Sequence, residues 1–329
     1  MDNQRTLTRS QSSRLVALDW GTSSLRAYLV DANGTVLDRR AWPHGIRKVT
    51  DGDFAGTLAR AIDGWDAGLP RIACGMIGSR NGWVEAPYCD LPAGAQALAR
   101  RLVTAVAGDG VPLAIVPGLR RVDARGDPDV MRGEETQLIG AAIEGRPDGV
   151  FVHPGTHSKW ALMAAGEIRA FSTFMTGELH AALLGHTILG AFQQAAAASA
   201  SAPTPASAAA APDWQAFERG VTRAHACDDF THALFTVRSR VLEADLSPAS
   251  VPDYLSGLLI GEEFRGARAA GWLPEGAHVT LIGDERLTVR YARAMDLLDV
   301  SFAHGPADVV VPGLVAIARH ARLIPDAGR

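Results

Sequence analysis

Cysteine, tyrosine and long apolar runs are scarce in this chain. Its three cysteines in 329 residues, Cys74, Cys89 and Cys227, are odd in number and widely spaced. That spacing excludes a disulfide framework and a zinc knuckle, and makes a reducing cytoplasm the expected compartment. No apolar stretch approaches the ~20 residues of a membrane helix; Val309 to Ala318, among the longest, contains Pro312 and Gly313. The first residues, Met1 to Ser13, lack the apolar centre of a signal peptide. An excess of basic charge is missing too: Lys and Arg number 32, Asp and Glu 36, and the net charge is −4. The expectation is therefore no membrane and no nucleic acid as partner, with homo-oligomerisation left open. What is present is an ordinary soluble composition, 47% hydrophobic and 21% charged. At roughly 100–200 residues per domain, it forms about two domains.

After the loose tail 1–13, Leu15 to Leu18 reads as a buried strand. The glycine turn Asp19-Trp20-Gly21-Thr22-Ser23-Ser24 follows, then a strand over Leu25 to Val30, the Asn33-Gly34 hairpin signal and a strand over Thr35 to Trp42. Asp53 to Trp65 reads as a helix, Arg71 to Cys74 as a strand, Ala93 to Val106 as an amphipathic helix, Leu113 to Val116 as a strand and Glu134 to Glu144 as a helix. The opening pattern then recurs. A strand over Gly149 to His153 leads into Pro154-Gly155-Thr156-His157-Ser158, followed by strands over Lys159 to Ala164 and Glu167 to Phe174. Gly155-Thr156 falls on Gly21-Thr22 in this overlay. A repeat of this length means two related domains, 14–148 and 149–329, each a mixed α/β sheet covered by helices. The second carries an almost pure Ala/Ser/Pro stretch, 194–212, which reads as a flexible insert. Further helices are expected over Gly177 to Phe192, Trp214 to Cys227, Phe230 to Ala244, Tyr254 to Ala270, Leu287 to Leu297 and Ala307 to His320. Strands are expected over His278 to Ile282 and Asp299 to Phe302.

Several clusters bear on chemistry. Glycine turns between strands aim backbone N–H groups at anions. Gly21, Thr22 and Ser23 form one such candidate phosphate loop, with Asp19 placed to hold a hydrated magnesium ion. Gly155, Thr156, His157 and Ser158 form a second, with Lys159 as a point charge beside it. Either loop alone also reads as a plain turn; two matching loops, one per half, suggest a nucleotide clamped between domains. No Gly-Lys-Ser/Thr follows, so neither is a P-loop. Arg132-Gly133-Glu134-Glu135 reads as a helix start, or as the source of a general base. Adjacent helical residues point about 100° apart, so at most one of the two glutamates faces a site; Glu134 is favoured and Glu135 is the alternative. Gly78, Ser79, Arg80 and Asn81, after a strand and before Trp83, suit a polyhydroxylated substrate at the carboxyl end of a sheet, or form a structural loop. Arg120, in a charge-interleaved stretch read mostly as a solvated face, is a candidate for gripping a carboxylate. Glu178 and Thr176 read as helix-start signals, Glu178 also as a candidate substrate contact, and His180 and His186 as ordinary satisfied histidines. Gly283, ending a strand, permits close approach of a base or ribose.

Leu18-Asp19-Trp20-Gly21-Thr22-Ser23-Ser24-Leu25-Arg26-Ala27 resembles the opening of the 2-dehydro-3-deoxygalactonokinases. Met131-Arg132-Gly133-Glu134-Glu135-Thr136-Gln137, Pro154-Gly155-Thr156-His157-Ser158-Lys159-Trp160, Met175-Thr176-Gly177-Glu178-Leu179 and Leu255 to Gly261 match the same family in order, from about Leu15 to about His320. The resemblance implies the actin, sugar-kinase and heat-shock-ATPase superfamily: two RNase H-like domains with an interdomain nucleotide cleft. It implies ATP and Mg2+ as cofactors, and transfer of a phosphoryl group to the 6-hydroxyl of the sugar acid 2-dehydro-3-deoxy-D-galactonate in galactonate catabolism. The acidic block is also similar to that of exopolyphosphatases. The rival readings are thus a phosphohydrolase of that type and an actin-like nucleotide-dependent assembly module.

Overall fold

The computed structural model describes residues 14–192 and 211–326. The tail 1–13 and residues 194–210 of the Ala/Ser/Pro stretch lie outside the described residues.

The first sheet is built from β1 (Leu15–Trp20), β2 (Leu25–Val30), β3 (Val36–Trp42), β4 (Arg71–Cys74), β6 (Val103–Val106) and β7 (Pro112–Ile115). Its order is β3-β2-β1-β4-β7-β6. β1 runs antiparallel to β2 and parallel to β4, which is parallel to β7. The second sheet comprises β10 (Gly149–His153), β11 (Ser158–Ala164), β12 (Glu167–Phe174), β13 (His278–Leu281) and β14 (Ser301–His304), in the order β12-β11-β10-β13-β14. β10 is parallel to β13, and β13 to β14. Three consecutive strands followed by a crossover to two parallel ones occur twice, so the repeat read from the sequence is a repeat of strand order.

Chain packing gives two compact units, 14–149 with 161–172 and 305–326, and 150–160 with 173–304. In the first, α1 (Phe54–Ala61) lays Phe54 and Leu58 on Val16, Leu18 and Trp20 of β1. α3 (Glu134–Glu144) packs on α9 (Val310–His320). A Cβ on Gly140 would strike the Val309 carbonyl, and one on Gly313 the Thr136 carbonyl, so both glycines permit the close crossing. The closing helix, which the sequence grouped with the second half, therefore lies in unit 1. In unit 2, α7 (Val251–Ala269) packs along α5 (Trp214–His225), and α4 (Thr176–His186), α6 (Phe230–Leu242) and α8 (Glu285–Leu297) complete the layer.

One local expectation is corrected. The helix expected over Ala93 to Val106 is only a short α2 (Ala95–Ala99), after which Val103–Val106 forms β6, antiparallel to β7. Three of the four residues in the Val-Thr-Ala-Val run are β-branched, which favours a strand once a partner edge is available. The charged stretch around Arg120, expected as a solvated face, is largely exposed, and it is ordered as strands. β8 (Leu119–Val122) and β9 (Pro128–Met131) form a hairpin, with β5 (Cys89–Asp90) parallel to β8. Asp123 makes the turn, its carboxylate accepting the backbone N–H groups of Arg125 and Asp127.

Candidate functional site

In unit 1 the loop after β1 is tightly made. The Gly21 N–H donates to the Ser24 carbonyl at 2.9 Å. The segment after β3 is stitched onto it: Ile46 N–H donates to the Gly21 carbonyl at 3.0 Å and Arg47 N–H to that of Thr22 at 3.2 Å. A Cβ on Gly45 would collide with the Thr22–Ser23 backbone, so only glycine allows this approach. Thr22 is half-buried and Ser23 exposed.

Asp19 ends β1 with its side chain 15% exposed, and Arg26 donates to it at 3.2 Å. Burial raises its pKa, Arg26 opposes the rise, and Glu134 adds to it. Asp19 and Glu134 are therefore within electrostatic reach of each other. Two glycines with left-handed backbones open the space beside Asp19. Gly75 (φ +93°) follows β4, and a Cβ there would lie 2.8 Å from the Trp20 carbonyl and 3.6 Å from Asp19 Oδ1. Gly133 (φ +106°) opens α3, and its Cβ would lie 3.2 Å from Gly75 Cα. A mostly buried carboxylate beside a glycine-lined cradle is a donor set that suits a magnesium ion, which takes one or two carboxylates and keeps its waters. Among the described residues no cluster of three or more His, Cys, Asp or Glu forms a dedicated metal cage.

The two glutamates of the acidic block differ sharply. Glu134 is half-buried, and its Oε2 accepts the Arg132 N–H at 3.1 Å. Glu135 is sealed in, accepting from Gly133 N–H at 2.6 Å and Thr136 Oγ1 at 3.0 Å. Burial first, and the Glu134 charge second, push its pKa up to about 7. Arg132 lies over the Tyr88 ring at 4.5 Å and donates to the Ala86 carbonyl at 2.7 Å. It thereby ties the acidic block to the 75–88 loop, where Gly78 is buried under it. Ser79 Oγ donates to the Met76 carbonyl at 2.7 Å, while Arg80 and Asn81 are exposed, Arg80 lying 3.7 Å from Glu85. Arg120 is engaged with Asp90 at 2.6 Å on the surface of the small sheet.

In unit 2 the second loop leaves Gly155, Thr156 and His157 accessible. His157 Nε2 meets Glu178 at 2.6 Å, and Glu178 N–H donates to the Thr156 carbonyl at 2.9 Å, so Glu178 braces the loop. Ser158 and Lys159, expected on the phosphate face, lie beneath it. Ser158 is fully buried against Tyr291, and Lys159 is 3% exposed with its ammonium on the His157 carbonyl at 3.2 Å. β11 is buried over its first four residues, on both faces, so Ser158 and Lys159 lie in the interior although they point opposite ways. A pocket of about 130 Å³ opens beside the loop, lined by Gly155, Thr176, His180, Ser256, Arg290 and Tyr291 among others. Gly283 (φ +127°) stands over Pro154, its Cβ position 3.6 Å from that carbonyl.

Sequence reasoning missed Glu263. This α7 carboxylate is fully buried and accepts from Trp160 Nε1 at 2.7 Å, Tyr291 OH at 2.6 Å and Thr176 Oγ1. Burial raises its pKa and these donors oppose the rise. The available signal was a glutamate in phase with Leu259, Ile260 and Phe264, on the core side of an apolar helix.

The repeated sheet and the paired glycine loops define the class: an α/β protein of the actin-like ATPase fold. The profile of the 2-keto-3-deoxy-galactonokinase family matches residues 19–317. A provisionally named 2-dehydro-3-deoxygalactonokinase of Rhizobium meliloti (strain 1021) is 39% identical over 92% of this chain and 96% of its own length. The 2-dehydro-3-deoxygalactonokinase of Escherichia coli (strain K12) is 34% identical over 87% and 91%. A crystal structure of a likewise provisionally named enzyme from Sinorhizobium meliloti superposes with a TM-score of 0.77 at 36% identity, covering 93% of this chain and 98% of that one. The chain belongs to the 2-keto-3-deoxy-galactonokinase family.

Proposed function

We propose that this protein transfers the γ-phosphoryl group of ATP to the 6-hydroxyl of 2-dehydro-3-deoxy-D-galactonate, a step of galactonate catabolism. The observation that carries the reading is the Asp19–Glu134 pair beside the Gly75–Gly133 cradle, in a chain of this family. Asp19 is the residue that would hold magnesium through water, and the ion would offset phosphate charge. Gly21, Thr22 and Ser23 in unit 1 and Gly155, Thr156 and His157 in unit 2 supply donors to phosphate oxygens. The pocket around Thr176, Arg290 and Tyr291, with Gly283 beside Pro154, takes the adenosine. Glu134 accepts the proton of the attacking hydroxyl; its partial exposure favours it over the sealed Glu135. Ser79, Arg80 and Asn81 offer hydrogen bonds to substrate hydroxyls. Phosphoryl transfer asks little more of the protein than this positioning and charge placement.

The family match gives no support to a polyphosphatase or an assembly module. No described helix is long and apolar enough to cross a membrane. All three cysteines are buried and free, which supports a reducing, cytoplasmic location. The test is ADP release with ATP and magnesium against a panel of 2-keto-3-deoxy sugar acids and a blank. Release greatest with the galactonate-derived acid is expected; equal release in the blank would overturn the reading.

A further inference from the structure

Unit 1 holds a second cavity, of about 360 Å³, that none of the site residues described above lines. This lies in the ~300–1,000 Å³ range of small-molecule sites. Its walls come from Trp42 at the end of β3, from His44, Lys48 and Thr50 in the segment after it, and from Thr57 and Arg60 on α1.

The charge of the cavity is one-sided. Its acidic residue, Asp53, is already occupied: it caps α1 through the Gly56 N–H at 2.8 Å and meets Arg60 at 3.5 Å. Arg60 also donates to Thr57 Oγ1 at 3.0 Å. The side chains of Lys48 and His44 make no hydrogen bond or ion pair with any described residue, and both are exposed at the cavity's edge. Two basic side chains without partners thus face a cavity whose carboxylate is already engaged.

Its position matters as much. The His44–Lys48 segment is the one stitched to the phosphate loop by the Ile46 and Arg47 N–H groups. On the other side, Phe54, the first residue of α1, stacks on Trp83 of the 75–88 loop with ring centroids 6.0 Å apart. The cavity is therefore held between the two loops that the proposed reaction uses, all within one unit.

We propose that this cavity receives the carboxylate end of the acceptor sugar acid, with Lys48 as its principal anchor and His44 as a second donor. The inference rests on the kinase reading and adds to it the subsite for the acid group. A 2-dehydro-3-deoxy acid matches the lining: a carboxylate for Lys48, hydroxyls for Thr50, and the C3 methylene for the Trp42 face. A neutral sugar of the same size would leave the ammonium without a partner, which is how the site selects acids.

The test uses full-length Lys48→Ala and His44→Ala beside wild type, each first checked for an unchanged Tm. Losing a charge-assisted contact weakens binding ~10–100-fold. The KM for 2-dehydro-3-deoxy-D-galactonate is expected to rise by that factor in Lys48→Ala and less in His44→Ala, with the KM for ATP within about threefold. Direct titration with the same acid separates this inference from the kinase reading, because it needs no turnover. Binding to wild type that weakens at least tenfold in Lys48→Ala, with the methyl ester of the acid binding both proteins alike, supports the subsite even if ADP release fails. Equal binding of the acid by wild type and Lys48→Ala, or none by either, overturns it.

Discussion

The Tyr291 hydroxyl donates to the Glu263 carboxylate at 2.6 Å and lies 2.7 Å from Ser158 Oγ. The Glu263 carboxylate thus joins α8, α7 and the strand that follows the Gly155 loop, while Thr176 at the start of α4 and Trp160 on β11 complete its shell. Tyr291 and Thr176 also line the pocket proposed for adenosine. Glu263 does not line that pocket but holds Thr176 and Tyr291, which do.

Glu263→Gln exchanges one acceptor for an N–H2 that faces existing donors, at a cost of about 1–3 kcal/mol. The expected result is a lower Tm and a KM for ATP raised about tenfold, with kcat and the sugar-acid KM within threefold. Tyr291→Phe, which removes the shared hydroxyl, should move the same constant in the same direction. A fall in Tm with an unchanged KM for ATP would reduce the network to scaffold.

Glu134 and Glu135 should separate cleanly on substitution. Glu134→Gln removes the proposed base from a half-exposed position and should lower kcat ~10²–10⁴-fold with little loss of stability. Glu135→Gln acts on a sealed group that receives the Gly133 N–H, so it should change stability and the set of the α3 start more than the chemistry. A wild-type kcat in Glu134→Gln, with a large loss in Glu135→Gln, would reverse the assignment.

Glu135 also gives the fold a pH dependence of definite sign. Its pKa is about 7 in the folded chain against an ordinary glutamate value of 4.5. Between these values the folded state binds the proton that the unfolded state has released. Stability due to this group is full below pH ~4.5 and falls as pH rises through ~7. At ~1.36 kcal/mol per pH unit the upper bound is about 3 kcal/mol. Urea unfolding of wild type and Glu135→Gln at pH 5 and pH 8 isolates the effect: wild type should lose more stability than the variant over that interval. Parallel losses would show that Glu135 does not titrate there.

Much of this arrangement was legible in the chain. The apolar run Leu15 to Leu18, the glycine turn after it and the Asn33-Gly34 signal located β1 to β3, and the recurrence of Gly-Thr after a strand pointed to a repeated strand order. Glu134 to Glu144 was bounded by glycines on both sides and read to the residue. What local pattern could not carry was long-range pairing. Val103–Val106 follows helix-forming residues without a break and becomes a strand because β7 offers an edge. The Arg120 hairpin hides its ladder among charges. Ser158 and Lys159 were read as loop chemistry because spacing alone does not tell which face of a strand is solvent. Glu263 was invisible for the same reason, since its partners come from β11, α4 and α8, far apart in sequence.

The glycines of the Leu255 to Gly261 block are explained by packing rather than by ligand contact. Gly257 and Gly220 face each other where α7 crosses α5: a Cβ on Gly257 would strike the Phe217 carbonyl, and one on Gly220 the Tyr254 carbonyl. Backbone lies on both sides of the contact, so no side chain can swing away to make room. Gly257→Ala gains about 1 kcal/mol of helix propensity but forces the helices apart over the core of Tyr254, Leu255 and Leu258. Overpacking of this kind costs typically 1–3 kcal/mol, and more where backbone must move. Gly266→Ala is the internal control, on the same helix, because the nearest atom to its Cβ would be the Phe174 ring edge at 3.3 Å, a side chain that can yield. Chemical denaturation should place Gly257→Ala several kcal/mol below wild type and Gly266→Ala within about 1 kcal/mol of it. Equal midpoints for the two variants would mean that the α5–α7 crossing is loose, and that the Gly257 block is retained for something other than helix approach.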